Sequence, residues 1–130
     1  MFERTMKPII GIACVASNGA IGYKGDLIWK CKEDMKFFKK ITLTTSDINK
    51  RNAVIMGRET YKSVTFLKGR FNCVISSTLQ ALQSHNDLLI HSNIEHILDV
   101  LNNDESIENI FIIGGTRLYK YFIDWDICLL

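Results

Sequence analysis

Asp34, Phe38 and Ile41 recur at i, i+4 and i+7 within residues 33–43 (EDMKFFKKITL). That spacing predicts a helix with a carboxylate on its apolar face. A carboxylate so placed loses hydration, and its pKa rises unless a donor or cation compensates. Such groups bind ligands or move protons. The plain alternative is electrostatic, because Glu33 and Asp34 fall in the first turn, where negative charge suits the helix dipole.

A second group of residues suits phosphate. Gly114 and Gly115 follow the apolar run 110–113 (IFII) and open a helical pattern, with Arg117 just inside it. Glycines there let backbone N–H groups approach an anion, and a guanidinium adds a paired donor. Residues 56–60 (MGRET) repeat the arrangement, with Gly57, Arg58 and Thr60, and Ser76, Ser77 and Thr78 supply hydroxyls after a third apolar run. Each feature alone is an ordinary turn or cap. Together they suit a ligand with several phosphates, such as a dinucleotide, although neither G-x-G-x-x-G nor a Walker sequence is present.

Residues 20–29 (AIGYKGDLIW) form a glycine-hinged loop carrying Leu27 and Trp29. Such a loop suits a lid that excludes water, or a surface loop pinned in the core by its apolar residues. His85, His91 and His96 lack metal spacing with one another or with cysteine. Lys32, Lys36, Lys39 and Lys40 share the polar helix face, where a solvated stripe is the simpler reading than a nucleic-acid patch.

The elements that position these residues are short. The run 8–16 (PIIGIACVA) is nearly continuous in apolar residues and predicts a strand buried on both faces. Residues 53–56, 71–75, 87–90, 110–113 and 127–130 predict further strands, and helices are expected over 59–64, around 94–101 and over 118–123. Strands alternating with helices define an α/β fold with a central, mostly parallel β-sheet flanked by helices. Ligands in such sheets bind at the carboxyl ends of the strands. The Gly, Ser and Thr residues fall there.

Composition sets the frame. The 130 residues are 47% apolar with one proline, enough for a single domain over 1–130 and excluding disorder. A net charge of +2 gives no case for nucleic acid. Cys14, Cys31, Cys73 and Cys128 form no C-x-x-C pair and read as thiols in a reducing compartment. The polar N-terminus and the absence of a long apolar run point to a cytoplasmic protein without a membrane partner.

Five segments in order complete the reading: IACVASNGAIG, DLIWKCKEDMKFF, VIMGRETYKS, LKGRFNCVISS and IFIIGGTRLY. Over about residues 7–130 the chain resembles dihydrofolate reductase. The resemblance implies reduction of 7,8-dihydrofolate to tetrahydrofolate, with hydride from NADPH reaching C6 while N5 is protonated. Asp34 would hold the pteridine ring and favour protonation of N5, and Leu27 and Trp29 would help close the site. Ile12, Met35, Phe38, Val64, Leu67 and Ile113 would line the substrate, and Arg70 would pair with the carboxylate of the glutamyl tail. Ala13, Ile21, Gly22 and Tyr119 would lie near the nicotinamide. Arg58, Ser77 and His91 would face the 2′-phosphate, and Ser76 would also contact the cofactor. Gly57, Glu59, Thr60, Gly114, Gly115, Thr116, Arg117 and Leu118 would contact the remainder of the cofactor.

The sequence departs from the family at Ile28, Lys32 and Lys68, where proline is usual, at His91, where a basic residue is frequent, and at Thr116, where glycine or alanine is usual. The last strands of the family's sheet would lie beyond Leu130, so the domain is expected to be incomplete at its C-terminus. It would then be a fragment of a longer reductase, one form of which is the reductase part of a fusion with thymidylate synthase. Two other readings remain: a truncated nucleotide-binding relative without catalysis, and the pyrimidine reductase of riboflavin synthesis.

Overall fold

A computed structural model describes residues 7–12, 32–64, 66–77, 87–115, 117, 118, 121, 128 and 129. Among them run β1 (Ile9–Gly11), α1 (Lys32–Leu43), β2 (Arg51–Gly57), α2 (Arg58–Val64), β3 (Phe71–Ile75), β4 (Leu88–His91), α3 (Ile94–Asn103), β5 (Ile107–Gly114) and β6 (Cys128–Leu129). The strands form one sheet in the order β4-β3-β2-β5-β1-β6, and every described pair is parallel.

Parallel strands need helical crossovers, so both sheet faces are covered and the strand sequences become continuously apolar. Alternation divides each strand between two cores. Ala53 and Ile55 of β2 and Ile110 and Ile112 of β5 pack against Ile97, Leu98 and Leu101 of α3. Val54 and Met56 of β2 and Phe111 and Ile113 of β5 face the other way, onto Phe38 and Ile41 of α1 and Tyr61 of α2. Burying each such side chain stabilises the fold by about 1.5–3 kcal/mol. Truncating Ile112 to Ala would cost roughly 2–5 kcal/mol, because the close-packed neighbours collapse only partly.

Helix α3 is fixed at both ends. The Asn93 side chain accepts hydrogen bonds from the Glu95 and His96 amides at 2.8 and 3.4 Å. At the other end Lys7 Nζ donates to the carbonyls of Leu101, at 2.7 Å, and Asp104. A cation there complements the helix dipole. Arg51, at the opposite end of β2 from its Gly57, pairs with Asp87 and lies 5.0 Å from the Phe71 ring centre.

The expected elements form with shifted ends. Strand β2 begins at Arg51 inside the polar stretch, and β5 begins at Ile107 rather than Ile110. Backbone pairing sets these limits: β2 and β5 pair from Arg51↔Ile107 onward, with register shifts between Arg51 and Ala53 and between Ile55 and Met56, whatever the polarity of the side chains. The first strand is described only over Ile9–Gly11, and Cys128–Leu129 is the described part of the final run. The loop 20–29, with Ile21, Gly22, Leu27 and Trp29, lies outside the described residues, as do Ala13, Thr116 and Tyr119.

Candidate ligand site at the carboxyl ends of the strands

The chain moves outward from β2 to β3 to β4, then returns to insert β5 between β2 and β1. Such a reversal opens a crevice beyond the carboxyl ends of the strands. A cavity of about 660 Å³ lies there, lined by Gly57, Arg58, Glu59, Thr60, Ile75, Ser76, Ser77, Ser92, Gly115, Arg117 and Leu118. Ile75 and Ser92 escape sequence reasoning, although both adjoin strand ends.

Gly57 and Gly115 bring two strand ends together. A Cβ on Gly57 would lie 3.9 Å from the Gly115 amide nitrogen, and one on Gly115 would lie 3.6 Å from Thr60 Oγ1. Gly114 has φ 138°, a conformation that glycine adopts without strain. Arg58 pairs with Glu59 at 3.0 Å, and Lys62 lies 3.6 Å from the same oxygen. Arg117 is exposed at the start of the next helical turn. Two guanidinium groups, four hydroxyls and close-set glycine backbones form a donor set suited to phosphates.

His91 ends β4 beside Ser92. Its Nδ1 accepts the Asn93 amide at 2.9 Å, and its ring stacks on His96 with centroids 4.1 Å apart.

A second region lies on the α1 face of the sheet. Ile12, Phe38 and Ile113 are buried there in one cluster, with Leu67 packed against it. Asp34 and Met35 lie on α1 and Val64 ends α2, but their side chains fall outside the described part. The polar edge of this region is Arg70, only 5% exposed. Its Nη1 donates to Thr42 Oγ1 at 3.0 Å and its Nε to the Lys68 carbonyl at 3.0 Å. Burial pulls the Arg70 guanidinium below its ordinary pKa, yet an arginine stays charged. No carboxylate among the described residues lies within ion-pair distance of it. A buried cation without an anion is costly, and a carboxylate ligand relieves that cost.

Two asparagines that sequence reasoning missed hold this arrangement. Asn72, fully buried in β3, donates to the Leu67 and Arg70 carbonyls at 2.9 Å each and accepts the Leu67 amide at 2.9 Å. It therefore shapes the turn that presents Leu67 and Arg70. Asn52 in β2 donates to the Thr42 and Thr44 carbonyls at 3.0 and 2.8 Å and accepts from Asn109, tying the end of α1 to the sheet. The available signal was a lone amide inside each apolar strand, FNCVI and RNAVIMG.

Other chemistry is not supported here. Cys73 is buried, and burial pushes its thiol well above the ordinary range, which keeps it protonated and unreactive. Among the described residues no three His, Cys, Asp or Glu side chains are placed to hold a metal, and no helix is long and apolar enough to cross a membrane.

A wholly parallel described sheet flanked by helices, with a cavity beyond its strand ends, defines an α/β domain. The comparisons narrow the class. The profile of the family described as Dihydrofolate reductase matches residues 8–127, and the chain belongs to that family. The dihydrofolate reductase of Drosophila melanogaster is 40% identical over 113 residues, covering 84% of this chain and 62% of that protein. The bifunctional dihydrofolate reductase-thymidylate synthase of Daucus carota is 38% identical over 126 residues, 91% of this chain and 23% of that protein. The solved structure of Schistosoma mansoni dihydrofolate reductase superposes with a TM-score of 0.80 at 35% identity, covering 96% of this chain and 71% of that one. The chain thus spans about three fifths of the length of the Drosophila relative.

Proposed function

We propose that the protein reduces 7,8-dihydrofolate to tetrahydrofolate with NADPH. The observation that carries the reading furthest is Arg70, a buried guanidinium without a carboxylate among the described residues, beside an apolar cluster built on Phe38. It suits a flat apolar substrate ending in a carboxylate. The cavity beyond the strand ends has the donor set for a phosphorylated cofactor, with Arg58, Ser76 and Ser77 on one side and Gly115 and Arg117 on another.

Arg58, Ser76, Ser77, Gly115 and Arg117 would hold NADPH, which would supply a hydride for C6 of the pteridine. The chain's residues do the rest. Asp34 binds the ring nitrogen and amino group and favours protonation of N5, with the proton coming from water. Phe38, Ile12 and Ile113 flank the ring and exclude water, and Arg70 fixes the tail through paired donors. The reaction is placed in the cytoplasm, within one-carbon metabolism and nucleotide biosynthesis. A fused or associated thymidylate synthase is the proposed partner.

The test is NADPH oxidation in the presence of dihydrofolate, for this chain and for one extended downstream of Leu130. Turnover by either supports the reading, with Asp34→Asn expected to slow it at least about 100-fold while NADPH still binds. Absence of turnover in both, with NADPH binding retained, would replace it by the non-catalytic nucleotide-binding relative.

A further inference from the structure

We propose that Glu59 limits the discrimination between NADPH and NADH, by competing with the 2′-phosphate of NADPH for Arg58. The inference rests on the cofactor reading of the cavity given above. Among the described residues that line the cavity, Glu59 is the only carboxylate. The other charged or hydroxyl side chains there, two arginines and four hydroxyls, all offer donors to an anion. An ionised carboxylate only accepts, so it repels phosphate oxygens and occupies a guanidinium that they need.

Arg58 Nη2 lies 3.0 Å from Glu59 Oε1. Neighbours at i and i+1 do not face each other on a helix, so Arg58 turns along α2 to reach Glu59. The natural helical partner of Glu59 is Lys62 at i+3, whose Nζ lies 3.6 Å from the same oxygen. The Arg58 and Glu59 side chains are 40% and 60% exposed, and a pair so exposed is weak and readily exchanged. A phosphate monoester carries more charge than a carboxylate and accepts two guanidinium bonds at once. Its arrival draws Arg58 away, while Lys62 keeps the Glu59 charge compensated. NADH brings no such anion, and Arg58 stays on Glu59. A carboxylate in the first turn of α2 also suits the helix dipole. That structural role does not distinguish one nucleotide from the other.

Titration of the chain with NADPH and with NADH, followed by fluorescence, tests the competition. Glu59→Gln is expected to tighten NADPH binding about five-fold, the upper value of an exposed ion pair, and to change NADH binding by less than about two-fold. Made in the Arg58→Gln variant, the same substitution should leave the ratio of the two affinities within about two-fold, because no guanidinium remains to be released. Unchanged or weaker NADPH binding in Glu59→Gln would overturn the inference, weaker binding making Glu59 a support that orients Arg58. An equal gain for both nucleotides, or a gain in selectivity that survives in the Arg58→Gln variant, would overturn it as well. The cofactor reading stands in each of those cases. Binding of neither nucleotide by the unaltered chain would overturn both.

Discussion

Arg70 Nη1 donates to Thr42 Oγ1 at 3.0 Å, and Thr42 Oγ1 in turn donates to the Phe38 carbonyl at 2.8 Å. This relay joins the guanidinium proposed to hold the substrate tail with α1, the helix that carries Phe38 and Asp34. A shift of α1 therefore moves Arg70 and Phe38 together.

Replacing Arg70 tests that coupling. Arg70→Gln should raise KM for dihydrofolate about 10- to 100-fold, the value of a charge-assisted bond to a buried partner. The loss should fall mainly on KM rather than kcat, because the tail is remote from C6. Arg70→Lys should recover little, since a lysine lacks the planar fork that serves Thr42, Lys68 and a carboxylate at once. Steady-state kinetics at varied dihydrofolate distinguishes these outcomes.

Asn72→Ala would leave the Leu67 and Arg70 carbonyls without their side-chain donor. Unpaired buried polar groups cost about 1–3 kcal/mol each. A loss of about 2 kcal/mol, or roughly 6 °C in Tm, is expected by thermal unfolding. KM for dihydrofolate should also rise, because the turn would no longer hold Arg70 in place.

Gly69 has φ 79°, where a side chain is strained. Gly69→Ala should destabilise the fold by about 1–2 kcal/mol in urea titrations. The Leu43 side chain can give way to the new methyl, so the backbone conformation dominates the cost.

Two carboxylates predict acid sensitivity. Hydrogen bonds from the Ser106 hydroxyl and amide hold Asp104 below its ordinary 3.8, and bonds led by the Ser46 amide hold Glu108 below 4.5. Both folded values lie below the unfolded ones, so the stabilisation is fully present above about pH 4.5 and is lost as pH falls through the lower folded values. Urea midpoints measured from neutral pH down to about pH 3 should therefore fall, and fall less steeply in Asp104→Asn.

Arg58→Gln should weaken NADPH binding by about ten-fold and NADH binding less, if the guanidinium meets the 2′-phosphate. Titrating both nucleotides by fluorescence reads the selectivity directly. An equal loss for the two would remove Arg58 from that role.

Much of the architecture was legible in the sequence because parallel strands are buried on both faces. Runs such as IFII at 110–113 and FNCVI at 71–75 announce themselves, and glycine or serine at their ends lines the cavity beyond the strands. The motif order carried the family resemblance, which the family match over residues 8–127 bears out. Asn52 and Asn72 were not legible as the residues that tie down the end of α1 and the turn before β3. Their partners lie in other elements or across a turn, and a lone asparagine in an apolar run does not say which carbonyls it meets.

The sequence by itself determined which residues face a core and which types of donor stand at the strand ends, since periodicity and turn chemistry are local. Only the tertiary structure decided that β5 inserts between β1 and β2, gathering Gly57, Thr60, Ser76 and Gly115 around one cavity. It also decided that Arg70 is buried against Thr42 without a carboxylate among the described residues. Strand order and burial are set by contacts between residues distant along the chain, and the energetics of a charge depend on what surrounds it in space rather than on its neighbours in sequence.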